Sequence, residues 1–587
     1  MKLHKILTFT VCAATLAFTS CVDLDQQPDE RVNINTDEQV SKLLVTGYPN
    51  ANYSLLGELS SDNYEDNNAP HEVMSGSGTT YANLNPYSKM DDEVFAFEQV
   101  KSSTSSDSPS DVWASFYSAI ATANHALEAV YRLEDEAKAK GEEPSARLEA
   151  AKGEALLIRA YSHFILVNLF SQAYKDSVAS KSDIGVPYVT EPETTVHVDY
   201  DRSNVAEVYK KIEADLVAGL PLINDAYYSK PKWHFNKNAA YAFAARFYLF
   251  KRDYDKVIYY ADQVLGTDRS TLSSTLAQYD KFQGKTYLSD FATAWQDASD
   301  QNNLMLISTY SQWDRHNAYG CRYGVVGRAM KETVYRTGPT WNWTIMPCFN
   351  VGGFYVNGSI DYGLFPLKIW EQFEYTDKVS GIGYLHIIRR EFTRSELVLE
   401  RVEAELLSKT QRNIANAAAD LCAYEESRQT FDETNKTYYV GSSKNPNLWA
   451  LTDSIIRNYY TYKEGKTRQN PGVVESWSFT QNMSSDFVVP EEVYPYMNCL
   501  MDFRRYETLC EGRRFFDLKR FGIEYSHTIG RNSNVVTLKW NDPRRAIEIP
   551  IEAEAAGLET SRPADLNSTN ITEFRSKFNA KYNTCTK

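Results

Sequence analysis

From Asp111 to Leu265 the apolar residues recur at steps of three and four, and this period constrains the chain more than any other feature. Trp113, Phe116, Ile120 and Ala123 share one face of a first helix. Leu148, Ala151, Ala155, Ile158, Tyr161 and Ile165 share one face of a second. Val205, Val208, Ile212, Leu216 and Leu220 mark a third. A fourth spans Asn236 to Phe250, with Ala240, Phe243, Ala244 and Phe247 inward. After the short break Lys251-Arg252-Asp253, a fifth runs from Tyr254 to Leu265. Amphipathic helices joined by short links must bury their stripes on one another.

Small and aromatic residues at the crossings suggest tetratricopeptide-like packing, best seen in AYAFAARFYLFKRDYDKVIYYADQVL. Ala244, Tyr248, Tyr254, Val257 and Ala261 occupy its crossing positions. A helical pair returns at Ser395–Glu426 and a further helix at Glu491–Leu509. Helical repeats are therefore expected near residues 111–265, 394–428 and 491–521. Residues 58–110 are rich in Ser, Asn, Asp and Gly and read as loops. Near 270–390 and 430–488 the period dissolves among Tyr, Trp, Gly and Asn, which predicts a loop-rich region suited to binding.

The first residues carry an address. Lys2, His4 and Lys5 precede an apolar run from Ile6 to Phe18, too short to span a bilayer. Phe18-Thr19-Ser20-Cys21 then sets small residues before a cysteine. This resembles a bacterial lipoprotein signal, with residues 1–20 removed and the Cys21 sulfur lipidated. The alternative is an ordinary secreted chain with a chance cysteine. Residues 21–45 would tether the lipid to one domain spanning 46–587. The expected consequence is a chain anchored to a membrane by lipid without spanning it. Of the remaining cysteines Cys321, Cys348, Cys422, Cys499, Cys510 and Cys585, none forms C-x-x-C, which argues against a zinc ribbon or a thioredoxin-type centre.

A formal charge of −15 disfavours general nucleic-acid binding, which rests on neutralising phosphates. Catalytic motifs fail on inspection. His71-Glu72 opens an H-E-x-x-H pattern, but Ser75 holds the second histidine position. Gly381-Ile382-Gly383 lacks its third glycine, and no G-x-S-x-G occurs. The reading is of a protein that is no enzyme and takes no cofactor, with no residue singled out as a metal ligand. A chance glycosidase pair among 77 acidic residues is the distant alternative.

Several segments together resemble the SusD/RagB family of outer-membrane lipoproteins. The lipobox is followed by Asp23-Leu24-Asp25 and Pro28. WASFYSAIATANHAL (113–127) and RLEAAKGEALLIRAYSHFILVNLFSQAY (147–174) resemble the family's first two helix motifs. RSELVLERVEAE (394–405) resembles a third, with Val402 in place of an Ala. YETLCEGRRFFDLKRFG (506–522) resembles the near-terminal signature, with Arg513 where His is common. The usual Asn-Pro-Gly finish is missing. The resemblance implies a mainly α fold, with about four tetratricopeptide-like helix pairs supporting a large loop-rich region. It also implies a surface protein that binds oligo- or polysaccharide. Its partner would be a SusC-like TonB-dependent transporter, for which it acts as lid. A peptide- or protein-binding scaffold using the helical repeats is the runner-up.

Sugar rings need flat apolar faces, with amides and carboxylates beside them for the hydroxyls. Trp295, Tyr310, Trp313, Tyr319, Tyr323, Trp341, Trp343, Tyr355 and Tyr362 crowd the loop-rich middle. Trp313, Tyr319, Tyr323, Trp341 and Trp343 are the leading glycan candidates. In an extended segment Trp341 and Trp343 would point the same way. A second candidate is loop 62–87, with Asp62, Asn63 and Tyr64 foremost and Asn67, Asn68, Tyr81 and Tyr87 behind. The competing expectation is that such aromatics staple loops to the core. The Arg513, Arg514 and Asp517 cluster is expected to be structural.

Overall fold

The computed structural model describes residues 34–72, 79–193, 198–282, 285, 287–317, 320–333, 338–340, 349–356, 359–432, 437–440, 443–444, 450–461 and 488–562. Twelve helices carry the architecture. They are α1 (Asp37–Val45), α2 (Ser54–Leu59), α3 (Pro109–Lys140), α4 (Ala146–Phe170), α5 (Val205–Gly219) and α6 (Lys237–Lys251). Then follow α7 (Tyr254–Leu265), α8 (Arg394–Leu407), α9 (Ile414–Glu426), α10 (Asp453–Tyr460), α11 (Tyr494–Glu507) and α12 (Arg514–Arg520). Helix α1 occupies the end of the stretch read as a tether, with Val40 and Leu44 buried.

Local chemistry sets the helix ends. The Ser108 hydroxyl accepts from the Asp111 amide and Pro109 takes the first helical position, where no N–H is needed. Gly141, in the left-handed region, closes α3. Ser145, Asn204, Asn236, Thr393 and Asn413 cap α4, α5, α6, α8 and α9 in the same way. Helix α4 packs between α3 and α5 and is buried almost all round, its buried Glu154 and Arg159 paired with His234 and Asp215. Gly153 and Gly219 let α4 and α5 touch: a Cβ on Gly153 would lie 2.9 Å from the Gly219 carbonyl oxygen. Helices α6 and α7 form the next pair, then α8 and α9, then α10 and α11.

The stretch 270–390 is less loop-rich than its sequence suggests. It holds β4 (Asn303–Thr309), the antiparallel pair β6 (Phe349–Val356) and β7 (Ser359–Pro366), and the hairpin β8 (Gln372–Asp377) and β9 (Ile382–Thr393). Strand β9 lies between β8 and β4. Strand β4 is buried along nearly its whole length, so it shows no alternation to read. Short pairs join distant segments: β1 (Glu65–Asp66) with β5 (Tyr323–Gly324), and β2 (His71–Glu72) with β3 (Thr79–Thr80). Near the C-terminus β13 (Tyr525–Ile529) pairs with β14 (Asn534–Leu538); β10 (Thr430–Asp432), β11 (Thr437–Val440) and β12 (Ser443–Lys444) form a separate sheet.

The helical and loop regions share one core, and buried ion pairs join them. Strand β9 ends in the middle of it. Glu391 accepts from Arg246 of α6 at 3.3 Å and from Arg513 at 3.0 Å, and Arg389 pairs with its other oxygen. Burial alone would raise this carboxyl, but the three guanidinium groups hold it at about 2. Arg514 meets Asp62 at 2.7 Å, and Asp517 pairs with Arg504 and Arg520. The arginine cluster is thus structural, as expected. No disulfide joins the described cysteines. No helix among the described residues is long and apolar enough to cross a membrane.

Candidate functional site

The leading sequence candidates fall inside the protein wherever they are described. Trp313 is 1% exposed and opens a short helix, Trp313–His316, under the loop surface. It has no open face for a sugar ring. Tyr323 is buried and donates its hydroxyl to Asp92 at 2.6 Å. Asp62, Asn63 and Tyr64 are also buried. Asp62 takes both of its oxygens to Arg514, at 2.7 and 2.8 Å. Asn63 accepts from Arg505 at 2.7 Å and donates to Glu58 at 3.0 Å. The Tyr64 hydroxyl donates to Asn317. Burial raises the Glu58 carboxyl to about 7, despite its bonds from Asn63 and the Gly512 amide. The polar side chains of this loop therefore fasten it to α11 and α12 instead of facing solvent. Trp295 is likewise internal, with Arg390 stacked 3.4 Å over its ring. Tyr319, Trp341 and Trp343 lie outside the described residues, as does Cys21.

Two of the aromatics noted in the sequence do reach solvent. Tyr87 is exposed at the end of loop 62–87, its ring 4.4 Å from that of His316. His316 is anchored in turn by Asp91 at 3.0 Å. Tyr310, just after β4, is 44% exposed.

Tyr310 leads to a surface that the sequence reading passed over. Its ring meets Tyr384 of β9 edge to face, 5.0 Å between centroids. Tyr384 stands opposite Glu374 of β8 and donates to its carboxylate at 2.8 Å. Gln372 and His386, opposite one another, continue this face. On the other face Phe373 and Tyr375 are 45% and 53% exposed, their rings 4.9 Å apart. Gly383 permits this: a Cβ there would sit 2.7 Å from the Phe373 ring edge and 2.1 Å from the Glu374 carbonyl oxygen. The hairpin thus carries aromatic rings on both faces and a carboxylate and an amide beside them. Arg315 pairs with Glu371, the residue before β8, at 2.6 Å, and so ties the hairpin root to the support of Tyr87. The signal for this platform is the alternation Phe373-x-Tyr375 and Ile382-x-Tyr384 about the turn Lys378-Val379-Ser380-Gly381.

A separate cleft of about 390 Å³ opens between β1, β2, the short helix Gly327–Glu332 and the hairpin β13–β14. Glu65 and Arg328 face each other across part of it at 3.2 Å. His71 meets Asp361 of β7 at 2.6 Å, and the pairing raises the imidazole pKa against the effect of burial. Among the described residues no group of three or more His, Cys, Asp or Glu side chains is arranged to hold a metal ion.

The sequence pattern of a SusD-like family described as "Starch-binding associating with outer membrane" matches residues 23–249. No curated protein matches the chain. Among solved structures, a SusD superfamily protein from Bacteroides fragilis aligns at TM-score 0.54 and 14% identity, covering 90% of this chain and 99% of its own. One from Bacteroides vulgatus aligns at 0.53 and 17%, covering 90% and 98%. One from Parabacteroides distasonis aligns at 0.50 and 14%, covering 89% and 98%. These likenesses concern the fold, and they run along nearly the whole chain. The N-terminal part thus matches a SusD-like family, and the fold throughout is similar to that of SusD superfamily proteins.

Proposed function

We propose that this protein captures neutral oligo- or polysaccharide at the cell surface and passes it to a SusC-like TonB-dependent transporter, over which it serves as lid. It would be held at the outer membrane by lipid on Cys21, after loss of residues 1–20. The observation that carries the reading is the hairpin itself, with exposed Phe373 and Tyr375 on one face and, on the other, exposed Tyr310 against half-buried Tyr384 beside the Glu374 carboxylate. Aromatic faces pack on the C–H side of a sugar ring and the carboxylate takes hydroxyl protons. The printed description of the matched family, starch-binding and outer-membrane-associated, supports the same class of ligand. Tyr319, Trp341 and Trp343 stay candidates for the same glycan on residue type. The acidic surface suits neutral polymers better than polyanions.

Electrophoresis through gels containing neutral polysaccharides tests the reading. The protein should be retarded by its cognate polymer. Phe373→Ala/Tyr375→Ala should lose most of that retardation and keep its melting temperature, because both rings are half in solvent. At about 1 kcal/mol for each ring contact, the loss is on the order of tenfold or more in affinity. Retention equal to the parent would remove the hairpin from the binding site.

A further inference from the structure

The cleft beside the β13–β14 hairpin has features that the aromatic hairpin lacks. Its volume, about 390 Å³, lies at the small end of the range for small-molecule sites, roughly 300–1,000 Å³. Tyr64 and Phe95 line it with apolar surface. Its acids are largely spent: Asp62 is held by Arg514, and Asp66 by Arg322 at 3.0 Å. Arg328 is fixed through Nε to Glu65 and through Nη1 to Glu332 at 3.0 Å. Its Nη2 is left over among the described residues. The Glu524 carboxylate and the Thr528 hydroxyl likewise have no hydrogen bond or ion pair among the described residues. The cleft therefore offers a guanidinium donor, a carboxylate acceptor and a hydroxyl beside apolar walls, with no surplus positive charge to draw an anion. The frame is rigid. The Gly530 amide donates to Asp66 at 2.9 Å and ties the hairpin to the loop, and the His71–Asp361 pair ties β2 to β7.

We propose that this cleft is a second saccharide subsite, distinct from the aromatic hairpin, which takes one neutral sugar unit through Arg328, Glu524 and Thr528. The proposal rests on the reading of the protein as a glycan binder. The hydroxyls of such a unit accept from Arg328 and donate to Glu524, while its ring fills the space beside Tyr64 and Phe95. Two such sites on one protein raise the avidity for a polymer long enough to reach both.

Calorimetric titration of the full chain with neutral tri- and hexasaccharides of glucose, xylose, mannose and galactose tests this. In the Phe373→Ala/Tyr375→Ala background, residual binding to at least one of these sugars is expected. Adding Thr528→Trp, which fills the cleft from an accessible strand, should weaken that binding a further tenfold or more. Glu524→Gln changes one charge and no volume, and should weaken it in the same direction if the Trp variant disturbs the hairpin. Residual binding that neither change affects, or no residual binding beside a parent that binds, overturns the second subsite and leaves glycan capture standing. A parent that binds none of the sugars overturns glycan capture and the subsite together.

Discussion

Arg514 grips both oxygens of Asp62, at 2.7 and 2.8 Å, across 452 residues of sequence. Both side chains are buried. The pairing lowers the Asp62 pKa below the usual carboxylate range, although burial opposes it. Asp62→Ala would remove the bidentate partner of a buried guanidinium. Such changes cost about 3–5 kcal/mol. Chemical denaturation should read a loss of that order. A variant of normal stability with weakened glycan binding would return Asp62 to the ligand site.

Acid should act through the same pairs. Asp62 and Glu391 have folded-state pKa values below their unfolded ones, Glu391 at about 2. Their contribution is complete above the unfolded values, near 4, and is lost as pH falls towards the folded ones. Melting temperature should drop steeply between about pH 4 and pH 2. Asp62→Ala should show a shallower drop than the parent.

Asp107 gives the opposite slope. It is buried, accepts from the Ser311 hydroxyl at 2.6 Å and from the Gln312 amide at 2.8 Å, and its pKa is raised by burial to about 7. For an acid raised on folding, stability is full below the unfolded pKa, near 4, and falls as pH rises through 7. Asp107→Asn can still accept from the Gln312 amide and turn its own amide to Ser311. Asn also tolerates the positive φ of 66° found here. The variant should match or fall below the parent at pH 4 and exceed it at pH 9, by on the order of 2–4 kcal/mol. Parallel stability curves from pH 4 to 9 would show that this carboxyl does not titrate as described.

Trp313→Ala separates core from platform. The buried indole predicts a loss of about 3–5 kcal/mol and a large fall in melting temperature. Below that temperature glycan affinity should be close to the parent's.

Cys21→Ala addresses the anchor. Each buried CH₂ of an acyl chain contributes roughly 0.8 kcal/mol, so a multiply acylated cysteine holds durably. The variant should move from the membrane to the soluble fraction, with an unchanged melting temperature. Membrane fractionation that persists in a strain lacking the transporter would count against lipidation.

The helices were legible because burial there is one-sided or follows a fixed period. Ser108-Pro109 and Gly141 even mark the ends of α3. Strand β4 was not legible, since a run buried on both sides carries no alternation. The burial of several candidates was hidden for a different reason. Asp62, Asn63, Tyr64 and Trp313 have the residue types of a sugar site, but composition does not say whether a polar loop turns its atoms to solvent or to Arg505 and Arg514. The hairpin rings were readable in principle: Phe373-x-Tyr375 has period two, but it sits in a stretch whose many scattered aromatics conceal it.

Gly57 of α2 and Gly512 just before α12 approach so closely that a Cβ on Gly57 would lie 2.3 Å from the Gly512 carbonyl oxygen. The same seam holds Glu58 to the Gly512 amide and His527 to the Ser61 carbonyl. One edge of the core is therefore written in the first sixty or so positions and its matching edge in the last eighty. A chain emerging N-terminus first cannot close this seam until residues 512–527 have arrived. Loop closure of that length is slow, and the early segment waits with its apolar surface uncovered.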